Sequence, residues 1–158
     1  MPDGIALRAG DKIKIARVRD NAHCIAMKIF VEHIALVAKD PPALKSWYER
    51  VLGGKTLFDD GKTPLTCHVS LGNVWFEIYA ADKSVPETSD NKLAGFRHIA
   101  LRVDSVDAAK VEFEKRGVKF TEAERPAAGG GKVLFFKDPE GNLLHFVERP
   151  NDSVLASF

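Results

Sequence analysis

A repeat constrains this chain more than any other feature. His33-Ile34-Ala35-Leu36 returns as His98-Ile99-Ala100-Leu101, 65 positions on (33 to 98). At the same offset Ala43, Lys45 and Glu49 meet Ala108, Lys110 and Glu114, and Tyr48 meets Phe113. Each copy opens the same succession of patterns: a strand, a helix, then three short strands. Four identical residues alone carry little, but with a shared order of elements they read as duplication.

In the first unit, residues 29–37 are rich in β-branched and large apolar residues and short enough for a buried strand. Asp40-Pro41 reads as an N-cap followed by proline at the first helical position, where no N–H is needed. Leu44, Trp47, Tyr48 and Val51 then form one apolar stripe at helical spacing, and Gly53-Gly54 ends the helix. Strands are predicted over 55–58, 65–71 and 74–79, the last two separated by a turn at Gly72-Asn73. Residues 80–95 are polar and turn-rich, a linker. The second unit repeats the order: a strand over 96–103, a helix capped by Asp104 or Ser105 and running to Arg116, and strands over 118–121, 132–136 and 142–148. Val106, Ala109 and Phe113 share one face of that helix, which Gly117 stops. The expected organisation is an N-terminal extension (1–28), a first module (29–79), the linker, a second module (96–149) and a tail (150–158), with 28–150 acting as one domain. The extension is basic, with Arg8, Lys12, Lys14, Arg17 and Arg19. It lacks the apolar stretch and small-residue cleavage site of a secretory signal, so it reads as an appendage or an extra strand or helix, or else as a basic arm for a partner.

At 158 residues the chain suits one ordinary domain, and 23 basic against 22 acidic residues leave a net charge of +1. That balance gives no reason to expect nucleic acid or a membrane surface as partner, and no apolar run approaches the ~20 residues of a membrane span. Cys24 and Cys67 stand in no metal-binding spacing, so a disulfide scaffold is not expected and a reducing cytoplasm is.

Side chains alternate faces along a strand, and this sorts the chemistry. His33 shares a face with Val31, Ala35 and Val37; His98 shares one with Ala100 and Arg102. Glu77 stands with Trp75 and Tyr79, and His145 with Leu143 and Val147. A glutamate inside an apolar strand is costly unless paired or metal-bound. If the modules pack pseudo-symmetrically, His33, Glu77, His98 and His145 converge. Three imidazoles and a carboxylate suit Ni²⁺, Zn²⁺, Co²⁺, Fe²⁺ or Mn²⁺, with open positions for a substrate. Arg102 is a candidate anchor for an anionic group or a surface residue at a strand end. Trp75 and Tyr79 are candidates for an apolar substrate wall, core packing being the alternative for Trp75. His68 and Cys67 point to opposite faces, and alternation alone does not say which points inward. The Gly129–Gly131 run lacks the lysine and helix start of a phosphate loop and reads as a loop over the cavity mouth or a plain hairpin connection.

These motifs resemble the vicinal oxygen chelate superfamily, the glyoxalase, bleomycin-resistance and extradiol-dioxygenase group. The resemblance rests on His33-Ile-Ala-Leu, the helix ending Trp47-Tyr48-Glu-Arg-Val-Leu-Gly53, Trp75-Phe76-Glu77, Phe96-Arg-His98-Ile-Ala-Leu-Arg-Val103 and the Phe136-Lys-Asp138-Pro139-Glu-Gly141-Asn142 hairpin, over about residues 29–149. It implies an α+β fold: two tandem βαβββ modules forming a curved mixed sheet around a metal cavity, with the helices on the outer face. It implies metal ligands at His33, Glu77 and His98. The group's fourth ligand is usually a glutamate four residues after the hairpin glycine, and this chain has His145 there. That glutamate is often also the proton-transferring base of glyoxalase I-like enzymes, so the change counts against methylglyoxal detoxification. Glu148 faces the other way and is no replacement. The activity implied is a metal-dependent lyase or isomerase acting on a small substrate held through vicinal oxygens, with Glu77 and His145 as catalytic residues and Arg102, Trp75 and Tyr79 binding substrate. The alternatives are a resistance-type protein that sequesters a small molecule, and a ring-cleaving dioxygenase, against which four protein ligands count. A homodimer is the assembly the resemblance implies.

Overall fold

Strand alternation and the duplicated order of elements set the architecture. The computed structural model describes residues 30–83, 92, 94–153 and 155. The extension expected over 1–28 lies outside them, as does most of the expected linker. From Val31 onward the chain runs β1 (His33–Ala38), α1 (Pro41–Leu52), β2 (Lys55–Asp59), β3 (Cys67–Leu71), β4 (Val74–Ala80), β5 (His98–Arg102), α2 (Val106–Lys115), β6 (Arg125–Pro126), β7 (Lys132–Lys137) and β8 (Leu143–Glu148). The strands form two four-stranded mixed sheets ordered β1-β4-β3-β2 and β5-β8-β7-β6. β1 pairs with β4, and β5 with β8, in parallel; the other neighbours are antiparallel. The two-module α+β fold expected from the sequence is the fold observed.

Local chemistry explains the helix ends. The Asp40 carboxylate accepts from the Ala43 N–H at 3.0 Å, and Gly53 closes α1 at φ 76° with its N–H on the Glu49 and Tyr48 carbonyls. Ser105, one of the two expected caps, accepts from the Ala108 N–H and starts α2. The Val106 N–H donates to Glu148 at 2.8 Å, so this carboxylate serves a helix N-terminus.

The strand expected over 118–121 does not form. Val118 is buried instead, its N–H on the Phe113 carbonyl as the helix unwinds, and Phe120 packs beside Phe136 and Phe146. The fourth strand of the second sheet is the short Arg125–Pro126 edge, where proline has no N–H to extend a ladder.

The helix-bearing faces of the two sheets share the apolar interior. One cluster joins Leu36, Leu44, Tyr48, Val69, Phe76 and Ile78; the other joins Val106, Leu134, Phe136, Leu144 and Phe146 with Val51 of α1. Trp47, Leu52 and Ile99 pack against both. Each fully buried large side chain of this kind is worth about 2 kcal/mol. A polar link crosses the same boundary. Asp138, in the hairpin of the second module, accepts from the Tyr48 hydroxyl at 3.3 Å, and the Glu140 carboxylate accepts from the Asp40 N–H at 3.0 Å. Among the described residues no helix is long and apolar enough to cross a membrane.

Candidate functional site

The register of the two parallel pairs is equivalent, and this positions the candidate residues. His33 lies opposite Trp75 and Ala35 opposite Glu77; in the second sheet His98 lies opposite Leu143 and Ala100 opposite His145. His145 therefore occupies in module two the place that Glu77 holds in module one. All four side chains stand on the face away from the helices.

In the first sheet the Nε2 of His33 lies 3.6 Å from the Glu77 carboxylate, while its Nδ1 meets Glu32 at 2.6 Å. An ionised carboxylate only accepts, so a ring N–H at Nδ1 donates to Glu32. Metal-ligating histidines commonly give one ring nitrogen to an outer carboxylate in this way and use the other for the metal. The face around the pair is open and partly apolar: Trp75 is 40% exposed, Val37 is exposed and Tyr79 half-buried. Trp75 is thus not a core residue, because its strand position turns it away from α1. Its neighbour Phe76 takes the core place instead.

In the second sheet the His98 ring stands edge-on to His145, centroids 4.7 Å apart at 90°, and Phe135 stacks on His145 at 4.7 Å and 13°. His145 is 7% exposed, and neither ring nitrogen has a hydrogen-bond partner. Burial, followed by the positive charge His98 can carry, pushes its pKa down to about 4. The ring is therefore neutral at neutral pH, with a lone pair to offer. Arg102 closes the same strand face; it is exposed, and its guanidinium donates to the Leu155 carbonyl at 3.0 Å.

The expectation that His33, Glu77, His98 and His145 converge within one chain is corrected. They form two pairs, and among the described residues no three histidine, cysteine, aspartate or glutamate side chains cluster as a metal site. The physical reason is the packing of the modules. They meet through α1 and the helix-bearing faces, so the opposite faces, which carry the two pairs, do not face one another across the shared core. The residues nonetheless fit a divalent first-row ion. The one lone pair of the neutral, unpartnered His145 ring, and the imidazole of His33 beside the Glu77 carboxylate, are donor groups of the right type.

Sequence reasoning left His68 undecided between faces, and the structure turns it to the Glu77 side. Cys67 is fully buried in the core, its thiol pKa raised to about 11 by burial, while His68 is the cross-strand neighbour of Glu77. The polar alternation of β3 held this signal, but cysteine passes equally for either face. Glu148 caps α2, in line with its facing away. The Gly129–Gly131 loop is tied down rather than free, since Arg149 donates to the Ala128 and Gly130 carbonyls and the Ser153 hydroxyl to the Gly129 carbonyl. A largely apolar cleft of about 630 Å³ is lined by Ile34, Phe76, Ile99, Phe113 and Phe146 together with His98 and Arg102 of β5.

Comparison with known proteins agrees with this architecture. Residues 31–146 match the model of the Glyoxalase/Bleomycin resistance protein/Dioxygenase superfamily. The chain is similar to mitochondrial methylmalonyl-CoA epimerase of Mus musculus, 27% identical over 131 residues, covering 75% of this chain and 72% of that protein. It is also 27% identical over 123 residues to the uncharacterized protein YaeR of Escherichia coli, covering 75% and 95% of the two chains. Among solved structures, a glyoxalase family protein from Enterococcus faecalis superposes with a TM-score of 0.65 at 26% identity, over 75% of this chain and 97% of that one. The fosfomycin resistance protein FosX of Listeria monocytogenes, complexed with Mn(II) and sulfate, shares the fold with a TM-score of 0.62 at 23% identity, over 78% and 93%. With two βαβββ modules and a family match over most of its length, the chain belongs to the Glyoxalase/Bleomycin resistance protein/Dioxygenase superfamily.

Proposed function

We propose that this protein is a divalent-metal-dependent enzyme of the lyase or isomerase type, acting on a small substrate that offers vicinal oxygens. The observation that carries the reading is His145: a neutral imidazole, buried beside His98, with both nitrogens lacking partners. Burying such a group unbonded is costly, and a ligand that accepts its lone pair removes the cost. His33, Glu77, His98 and His145 are the residues that would hold Ni²⁺, Zn²⁺, Co²⁺, Fe²⁺ or Mn²⁺, and Mn(II) in FosX, a protein of the same fold, supports this. Bound there, such an ion supplies Lewis-acid polarisation of a carbonyl or of two neighbouring oxygens. Alternatively Glu77, 28% exposed at the open end of its pair, leaves the ion and acts as the base that accepts a proton from a substrate carbon. Proton transfer of this kind fits an epimerase among the relatives. His145 is the second catalytic candidate. Trp75 and Tyr79 would form the apolar wall and Arg102 the anchor for an anionic group.

The separation of the two pairs supports a homodimer in which the His33–Glu77 pair of one copy completes the His98–His145 pair of a second. The exposed Trp75, Val37 and Phe58 supply apolar surface for that contact. Residence in a reducing cytoplasm agrees with Cys67 remaining a buried thiol.

Metal content of the purified protein, with complementation between variants, tests the reading. His33→Ala/Glu77→Ala and His98→Ala/His145→Ala proteins are each expected to lose metal. Mixed and refolded together, they recover one intact site per heterodimer. A wild-type protein that binds no divalent metal overturns the enzyme reading. Loss of metal without recovery on mixing overturns the shared site. Sequestration without chemistry is the second reading, favoured by the 630 Å³ apolar cleft, and ligand binding that is indifferent to metal removal would establish it.

A further inference from the structure

Module two leaves open what module one closes. At the offset of the repeat, Leu101 answers to Leu36, Val103 to Ala38 and Phe113 to Tyr48. The first-module residues are sealed, at 6%, 0% and 0% exposed. Their counterparts pack against the second core cluster in the same way, yet all three are only half-buried, and all three line the 630 Å³ cleft. Ile34, Leu52 and Ile99 border the same space and are likewise half-buried. Apolar side chains beside unfilled volume forgo both burial and packing contacts, so an apolar group that enters the cleft gains both.

The polar end of the cleft is a second, independent observation. β5 is the end strand of its sheet. Its core-side Ile99, Leu101 and Val103 line the cleft together with His98 and Arg102, which strand alternation puts on the other face. The space therefore passes around the outer edge of β5. Among the described residues that line it, Arg102 alone carries a permanent charge, and none is acidic. The exposed Arg102 guanidinium has five N–H donors, one of which reaches the Leu155 carbonyl, so a carboxylate can share it. A long apolar cleft with one cationic end matches a molecule with an apolar body and one anionic head. The cavity lies within the ~300–1,000 Å³ range that takes small organic ligands.

We propose that this cleft binds a long-chain carboxylate: the chain lies against Leu101, Val103 and Phe113 and the facing residues of module one, and the carboxylate meets Arg102 at the edge of β5. The proposal rests on the cleft as a ligand site and gives that site its ligand class. It holds whether or not a metal is bound, so the metal reading and this assignment stand or fall separately.

The test is calorimetric titration of the full-length protein with hexanoate, octanoate, decanoate and decanol, in chelator and again with Co²⁺. In chelator, affinity is expected to tighten about fourfold for each added methylene up to decanoate. Decanol is expected to bind about tenfold more weakly than decanoate, through loss of hydrogen bonding to a charged group. Arg102→Gln is expected to erase that preference and keep the chain-length dependence. Val74→Trp adds bulk to a 39% exposed position on the cleft wall and is expected to weaken decanoate binding about tenfold, with the thermal melt as the check on folding. Affinity that does not rise with chain length in the wild type overturns the proposal. Decanol binding as tight as that of decanoate, or a preference for decanoate that survives in Arg102→Gln, overturns the assignment of the head. Decanoate binding untouched in a folded Val74→Trp protein overturns the location. Decanoate affinity that falls as protein concentration rises puts a second copy in the cleft and overturns the proposal as well. Absence of Co²⁺ binding, with the chain-length series intact in chelator, overturns the metal reading and upholds the cleft.

Discussion

Asp138 anchors the hairpin of the second module and, through Tyr48, the helix of the first, so its removal measures how far the two modules depend on one buried contact. The carboxylate accepts four hydrogen bonds: the Tyr48 hydroxyl at 3.3 Å, the Asn142 side-chain amide at 2.9 Å, and the backbone N–H groups of Glu140 and Asn142 at 3.0 and 2.9 Å. In Asp138→Ala the Tyr48 hydroxyl, on a residue with no exposed surface, loses its acceptor, a cost of about 1–3 kcal/mol. The other three donors belong to half-buried residues that water can reach, so each loses about 0.5–1 kcal/mol. The expected destabilisation is therefore about 3–4 kcal/mol, which lowers Tm by about 10 °C for a chain of this size. Asp138→Asn keeps an acceptor for the two backbone amides, and the tyrosine hydroxyl can turn to accept from the new amide. It also removes a charge whose burial is unfavourable, so a loss near 1 kcal/mol is expected. Tyr48→Phe is expected to cost about 1 kcal/mol, and less in the Asp138→Ala background, because the partner is already gone. Thermal and urea denaturation followed by circular dichroism measure all four proteins. An Asp138→Ala protein melting within about 2 °C of wild type would refute the reasoning, because it would mean water replaces every one of these bonds.

The same residue gives a pH signature. Burial, the largest influence, raises the Asp138 pKa above the ordinary carboxylate value of 3.8 in spite of its hydrogen bonds. The folded state then keeps this proton to higher pH than the unfolded state. The stability contributed is present below 3.8 and falls as pH rises through the folded pKa. Asp59, Asp60 and Asp107 shift the opposite way through their hydrogen bonds, so the difference between wild type and Asp138→Asn isolates the effect, and a flat difference from pH 3 to 6 would count against it. Gly131→Ala is expected to cost more than about 2 kcal/mol, because φ is 86° and a Cβ would lie 1.9 Å from the Glu148 carbonyl; a melt unchanged from wild type would show that the loop relaxes freely. Glu148→Ala is expected to cost about 1 kcal/mol through the lost cap on Val106, with metal content untouched, and loss of metal would contradict its assignment to the helix. At metal concentrations 100-fold above the dissociation constant, binding is expected to raise stability by about 2.7 kcal/mol, an increment that chelator abolishes and that His145→Ala lacks.

Much of the fold was legible because local rules agreed with one another. Asp40-Pro41 at one end of α1 and Gly53 at the other left little freedom in its placement, and the alternation of β4 put Phe76 inward and Glu77 outward. One reading failed for a reason local patterns do not contain. Residues 118–121 have strand-like composition, but burying Val118 and Phe120 against α2 and β7 competes with extending a ladder, and the burial wins. Trp75 looks like core by its size, yet its parity places it on the open face.

The sequence by itself determined the duplicated module, the helix caps and the strand faces on which His33, Glu77, His98 and His145 stand, because these follow from residue spacing within each element. Only the tertiary structure decided which of these residues meet. The modules pack through α1, Trp47, Val51 and Ile99 on their helix-bearing faces, and this long-range choice of surface separates the four into a His33–Glu77 pair and a His98–His145 pair. Burial depends on the same choice. His33 and His145 are both strand histidines at module-equivalent faces, but one stands open beside Trp75 while the other is sealed beneath Phe135, and that difference in solvent access gives them different chemistry.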